Sequence, residues 1–329
     1  MHKIDLITGF LGSGKTTFIK KYAEYLIGRG ERIGILENDF GAINVDRVLL
    51  SDILGDNCGI EMVVGGDTQD THRRRMKTKL IALAMNGYDR VIIEPSGIFD
   101  VDELFDLLYE EPLDRMYEMG AVITIVDAGI GDLSGESRYL MCSQTACAGR
   151  IILSKMDMMA RDGIGSALDG EEGRVGSETI KRDLDLLNNC LTEFKCKRVI
   201  DTEDIFPADL NDLNDADLAG LAECGYKRFS HIKMPVMDTG HYESLFVYHL
   251  ELDHEDLVSR IRGIFTDDRC GHIFRIKGYM NTTDRGWLEI NATSEAFLGI
   301  SETEESENVI IIIGENVDKE AVRRFLPVQ

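Results

Sequence analysis

Lys15 and Thr16 close the run Gly9-Phe-Leu-Gly-Ser-Gly-Lys-Thr16, a G-x-x-x-x-G-K-[ST] spacing that suits a polyphosphate. Gly12, Ser13 and Gly14 let successive backbone N–H groups curl around a β-phosphate. The Lys15 ammonium reaches the β- and γ-oxygens, and the Thr16 hydroxyl, followed by Thr17, is placed to ligate Mg²⁺. A second element is Glu94-Pro-Ser-Gly97, which ends the apolar run Arg90 to Ile93. A carboxylate there can hold Mg²⁺ through water, and the Gly97 N–H can sense a γ-phosphate in a loop that changes on hydrolysis. The third is Ser154-Lys-Met-Asp157, a variant of the N-K-x-D guanine-recognition pattern. Guanine offers N1–H and an exocyclic amine on one edge, and one carboxylate, Asp157, can accept from both while Lys155 lies along the purine face. Adenine lacks that pair of donors. An exposed charged turn could carry the same triplet, but its place after a late strand favours base recognition.

These groups need elements to position them. Lys3 to Thr8 reads as a strand leading straight into the glycine loop, and Thr17 to Leu26 as a helix whose Phe18, Tyr22 and Leu26 form one apolar stripe. That helix points its positive end at the phosphates. Further strands are expected at Arg32 to Glu37, Arg90 to Glu94, Ala121 to Asp127, Arg150 to Ser154 and Lys197 to Ile200, with helices at Met76 to Met85 and Ser177 to Phe194. Continuous β-branched runs alternating with helices imply an α/β fold, a P-loop NTPase with a mostly parallel sheet covered by helices. From about Phe229 the texture changes. Strands at Ser244 to Leu252, Gly271 to Met280, Gly286 to Asn291, Glu295 to Ile300 and Asn308 to Gly314, with helices at His254 to Ile264 and Val317 to Leu326, read as a small C-terminal α+β domain with ferredoxin-like character. The expected division is a nucleotide domain over 1–225, a linker over 226–242 and the second domain over 243–329.

At 329 residues the chain is long for one domain, and its 43% hydrophobic and 29% charged residues are those of a globular protein. No apolar run is long enough to cross a bilayer, so no membrane partner is expected. The net charge of −23 opposes nucleic-acid binding, whereas one local loop can still neutralise a triphosphate. The seven scattered cysteines include no C-x-x-C, which fits a reducing compartment. Together with an N-terminus that passes directly into a strand, this gives the expectation of a cytoplasmic protein. Cys142 and Cys147 fall in a helical stretch and read as packing residues.

The chain resembles the CobW family of GTPases, relatives of the UreG and HypB metal-insertion proteins. The matches run in order along it: GFLGSGKTT at 9–17, ENDFG at 37–41, GG at 65–66, EPSG at 94–97, VDA at 126–128 and SKMD at 154–157. Phe274-Arg-Ile-Lys-Gly278 and Trp287 look like that family's C-terminal domain. The resemblance implies GTP hydrolysis with Mg²⁺, coupled to assembly of a metallocentre or of a cobalamin or corrinoid protein. Lys15 and Glu94 would serve the hydrolytic step, with Glu37 and Asp39 in a switch loop beside the nucleotide and the metal. A client metalloenzyme or corrinoid protein is the implied partner, and self-association is compatible with it.

One departure bears on the metal. The family commonly carries C-x-C-C after the paired glycines, and here Gly66 is followed by Asp67-Thr-Gln-Asp70. Asp67 and Asp70 either form an oxygen-donor site for a further divalent metal or are ordinary loop and cap residues. The first alternative makes the protein a metal-binding chaperone in which hydrolysis is incidental. A third class, a small-molecule kinase using the same loop, is opposed by the guanine pattern. Next to this loop stands Arg73-Arg-Arg-Met-Lys-Thr-Lys79, cations that the helix dipole opposes in a first turn. Asp67 and Asp70 are the expected neutralising groups. A docking patch or an arginine for the γ-phosphate are the other uses.

Overall fold

The computed structural model describes residues 1–329 other than 11, 40–49, 65–68, 96–100, 129, 132, 134, 157–171, 234–241, 294–299, 303–307 and 327–329. Side chains are also left undescribed at 38, 39, 51, 64, 69, 70, 136, 172–177, 242–244, 274, 291, 293, 300–302 and 315. The chain divides into two compact units, Met1–Met234 and Pro235–Gln329.

The first unit is built on seven strands: β1 (His2–Gly9), β2 (Ile33–Asp39), β3 (Cys58–Val64), β4 (Arg90–Glu94), β5 (Tyr117–Asp127), β6 (Arg150–Ser154) and β7 (Ile205–Pro207). Their order is β3-β2-β4-β1-β5-β6-β7, and every pairing in this sheet is parallel. The short apolar runs become buried strands because helices cover both faces, so β4 is buried at every position. Among the described residues the helices are α1 (Lys15–Gly28), α2 (Gln69–Met85), α3 (Val101–Leu108), α4 (Leu113–Met116), α5 (Gly135–Ala146), α6 (Glu172–Glu193) and α7 (Asp215–Ala222). The stripe Phe18, Tyr22 and Leu26 is fully buried against Ile7, Ile35, Ile92 and Ile123, with Leu210, Leu218 and Leu221 closing the other side. Each such aliphatic side chain contributes roughly 1.5–3 kcal/mol of transfer free energy. Cys142 and Cys147 are buried packing residues, as expected; burial raises the Cys142 thiol far above its ordinary value.

The first sheet differs from the sequence expectation at both of its edges. Lys197 to Ile200 is not a strand; the edge position is taken by β7, with Ile205 opposite Ile151. The reason lies in the preceding helix. The Asn188 side-chain amide donates to Ile200 O at 2.9 Å and accepts from Ile200 N at 2.9 Å, taking the two backbone groups that a neighbouring strand would use. Arg198 is buried as well, and donates to Ala148 O at 2.7 Å beyond the end of α5. The strand β3 was not anticipated. Its residues alternate little, and it forms as the outer partner of β2 from Cys58 opposite Ile33 to Val64 opposite Asp39.

The segment 226–233, expected within a linker, lies in the first unit. Ile232 N–H donates to Phe194 O at 2.8 Å, and Lys227 N–H to Cys147 O at 3.0 Å. The second unit carries β8 (Tyr242–Tyr248), β9 (His272–Thr282), β10 (Gly286–Thr293), β11 (Ile300–Glu302) and β12 (Val309–Glu315), with α8 (His254–Thr266) and α9 (Lys319–Phe325). The sheet order is β11-β10-β9-β12-β8. Since β12 is antiparallel to both β8 and β9, the latter two run parallel, a split β-α-β through α8, and β10 and β11 continue as a meander on the far side. Leu257, Ile261 and Ile264 of α8 pack on Ile276, Ile310 and Ile312. Among the described residues no helix is long and apolar enough to cross a membrane.

Candidate functional site

The phosphate loop turns where β1 ends. At Gly9 (φ 146°) an added Cβ would lie 2.2 Å from Ile125 O and 2.7 Å from Ser13 Oγ, so no side chain fits there. Gly14 takes the left-handed conformation (φ 95°) that starts α1, and a Cβ on it would meet Leu210 Cδ1 at 2.5 Å. Leu210, in the loop after β7, therefore packs directly on the phosphate loop, a contact that nothing in the sequence signals. The first turn of α1 contains no acidic residue, which leaves its positive dipole end to an anion.

Lys15 and Thr16 are the first helical residues and both are buried. The Lys15 ammonium donates to Gly9 O at 3.1 Å and Phe10 O at 3.2 Å, folding back across the loop it belongs to. Thr16 Oγ1 donates to Glu94, 3.2 and 3.4 Å from its two carboxylate oxygens. Glu94 ends β4, which lies beside β1, so the pairing of these strands brings the motif carboxylate to the motif hydroxyl. Glu37 on β2 is the register partner of Glu94, and adjacent parallel strands put such partners on one face of the sheet. Two buried carboxylates thus occupy neighbouring register positions, at 3% and 9% exposure.

On the other flank of β1, Asp127 at the end of β5 is in register with Ser154 at the end of β6. Lys155 follows with φ 59°, and its Nζ donates to Asp127 Oδ2 at 2.8 Å. Ser154 Oγ lies 3.1 Å from Asp127 Oδ1 and 3.0 Å from Ser13 O of the phosphate loop. Asp127 was only part of the VDA match in sequence; its contacts depend on the β5–β6 register.

The structure brings together Gly12, Ser13, Gly14, Lys15, Thr16, Thr17, Glu37, Glu94 and Lys155 at the carboxyl ends of the central strands. Gly97, Asp157 and Asp67 lie outside the described residues, as do the side chains of Asp39 and Asp70. Among the described residues no group of three or more His, Cys, Asp and Glu is arranged to hold a metal ion. Three cations of the basic run on α2 pair with carboxylates distant in sequence, while Asp67 and the Asp70 side chain, the expected neutralising groups, lie outside the described residues. Arg73 and Lys77 both pair with Glu110 at 2.7 Å, and Lys79 pairs with Glu61 at 2.6 Å. The nearby His72 imidazole is held below its ordinary pKa by burial and then by the charge of Arg75.

A strand-loop-helix phosphate cradle at the centre of a parallel sheet, with carboxylates on the neighbouring strand ends, defines a P-loop nucleotide-binding protein. The family described as CobW/HypB/UreG, nucleotide-binding domain, matches residues 3–177, more than half of the chain, and the protein belongs to it. It is similar to the zinc chaperone YjiA of Escherichia coli (strain K12), with 30% identity over 162 residues, covering 47% of this chain and 49% of that one. It is also similar to the zinc chaperone YeiR of the same organism, with 31% identity over 159 residues, 48% of this chain and 47% of that one. The chain matches about half the length of these curated relatives. The solved structure of Zn(II)-bound YjiA GTPase from E. coli aligns over 98% of this chain and 97% of that one, at 18% identity and a TM-score of 0.37.

Proposed function

We propose that the protein binds GTP with Mg²⁺, hydrolyses it, and uses the cycle to supply or assemble a metal centre in a client protein. The observation that carries this reading is the meeting of Lys15, Thr16 and Glu94 at the start of α1, with Glu37 in register beside Glu94. The buried carboxylate pair and the Thr16 hydroxyl fit a hard cation, which Thr16 would hold with Glu94 and Glu37 close by. Such an ion supplies charge neutralisation at the β- and γ-phosphate oxygens. In this reading Lys15 leaves the Gly9 and Phe10 carbonyls and turns its ammonium to the transferred γ-phosphoryl oxygens, while loop N–H groups hold the β-phosphate. Gly97 senses the γ-phosphate, Lys155 covers the purine face and Asp157 accepts from guanine. No sequence signal identifies a strong catalytic base, so slow intrinsic turnover accelerated by a partner is expected.

The relatives named as zinc chaperones support metal handling as the purpose of the cycle. The same names favour the metal-binding alternative at Asp67 and Asp70, which predicts GTP-sensitive binding of a divalent transition metal that Asp67→Ala/Asp70→Ala abolishes. The test of the main reading is turnover of GTP and of ATP by the wild type and by Lys15→Ala. GTP hydrolysis lost in the variant is the expected result. A preference for ATP removes the guanine assignment, and turnover unchanged in Lys15→Ala removes the hydrolytic one.

A further inference from the structure

Asp127 touches two parts of the site that are far apart in the chain. One carboxylate oxygen accepts from Lys155 Nζ at 2.8 Å, and the other lies 3.1 Å from Ser154 Oγ. Ser154 Oγ also approaches Ser13 O at 3.0 Å and Val126 O at 3.3 Å. A hydroxyl carries one hydrogen, so these acceptors compete for it, and the fully buried Ser154 lies between strand β5 and the phosphate loop, within reach of either. Lys155 adopts the left-handed conformation (φ 59°), one that side chains disfavour, directly after β6. Ala128 N–H donates to Ser154 O at 2.9 Å, fixing the backbone on the same residue that the side chain clasps.

We propose that Asp127 is a positioning residue for the nucleotide: its charge sets Lys155 for the purine face, while the Ser154 hydroxyl, next to Ser13 O, ties the same turn to the phosphate loop. The proposal rests on the GTP reading above. It gives Asp127 and Ser154 separable effects. Asp127 acts on Lys155 and so on the base, whereas Ser154 acts on the loop and so on the phosphates.

Calorimetric titration of the full chain with GTP and with inorganic tripolyphosphate, which has no base, tests it. Asp127→Asn should weaken GTP about tenfold, the scale of one lost charge-assisted contact, and leave tripolyphosphate within about twofold. Asp127→Asn/Lys155→Ala should bind GTP within about twofold of Lys155→Ala alone, because both changes break one link. Ser154→Ala should weaken both ligands. Equal losses for GTP and tripolyphosphate in Asp127→Asn, or additive losses in the double variant, overturn the proposal. Should Asp127→Asn not fold, Asp127→Ser, at a part-exposed side chain, decides in the same two titrations: a loss confined to GTP supports the link and a shared loss refutes it. A wild type that binds GTP no better than tripolyphosphate, by contrast, overturns the nucleotide reading itself.

Discussion

Two clusters of buried charge lie along the central strands of the sheet, and they are composed in opposite ways. In the first half of β1, Asp5 is completely buried and meets three donors: Arg90 Nη1 at 2.6 Å, the Tyr22 hydroxyl at 2.7 Å and Ala121 N–H at 2.7 Å. Arg90 reaches on to Glu31 at 2.9 Å. At the carboxyl end, Glu94 stands in register with a second carboxylate, Glu37, and shares the Thr16 hydroxyl, while the Lys15 ammonium rests on backbone carbonyls. The first cluster pairs unlike charges and completes itself inside the protein. The second puts like charges together and keeps its cation on a loop built for an anion. Burying charge is costly in both places, and in the first the chain offsets it with Arg90, Tyr22 and the Ala121 N–H.

Four measurements break or sharpen this contrast. The largest effect is expected from Arg90→Met, which leaves Asp5 buried without its countercharge. Urea unfolding should show a loss of about 3–5 kcal/mol, while GTP turnover per folded molecule is retained. Lys15→Ala should do the reverse. Turnover should fall by about 10²–10³, equivalent to roughly 3–4 kcal/mol of transition-state stabilisation, with little change in the thermal midpoint. If Lys15→Ala instead melted the protein as severely as Arg90→Met, the distinction between the clusters would be lost.

Tyr22→Phe comes next, at about 1.5 kcal/mol for one hydrogen bond to a charged group. It also carries a pH signature. Burial first, and then the Asp5 charge, hold the Tyr22 hydroxyl far above its ordinary value of 10.0. The folded state therefore keeps this proton where the unfolded chain releases it. The stabilisation is complete below pH 10 and falls as pH rises above it, and the difference between wild type and Tyr22→Phe in urea midpoints should shrink there. The smallest effect belongs to Glu110→Gln, where Arg73 and Lys77 meet a part-exposed carboxylate. Solvent screening limits the loss to under about 1 kcal/mol. The Lys77 hydrogen bond, followed by that of Arg73, lowers the Glu110 pKa. Its contribution is present above the ordinary carboxylate range and fades as pH falls through the lowered value, so acid should erase the difference between variant and wild type.

Much of the site was legible because its signals are local. The glycine spacing, Lys15, Thr16 and the Phe18, Tyr22, Leu26 stripe specify a strand, a tight turn and an amphipathic helix within one short segment. The apolar runs ending at Glu94 and Ser154 likewise became strands at the expected places. Elements whose formation depends on a distant partner were not legible. Lys197 to Ile200 had the composition of a strand, yet Asn188 supplied the backbone hydrogen bonds from a neighbouring helix. The pairing of α2 cations with Glu110 and Glu61 was equally illegible, because those acids reach them through space rather than along the chain.

By itself, then, the sequence determined the phosphate loop, the alternation of strands and helices and the acidic, thiol-poor character of the segment after the paired glycines, because each is a property of neighbouring residues. Only the tertiary structure decided that Glu37 stands beside Glu94, that Asp5 is matched by Arg90 and Tyr22, and that Asp127 holds Lys155 while Ser154 clasps Ser13. Those pairings follow from the order and register of parallel strands, which the long-range closure of the sheet sets and no local spacing encodes.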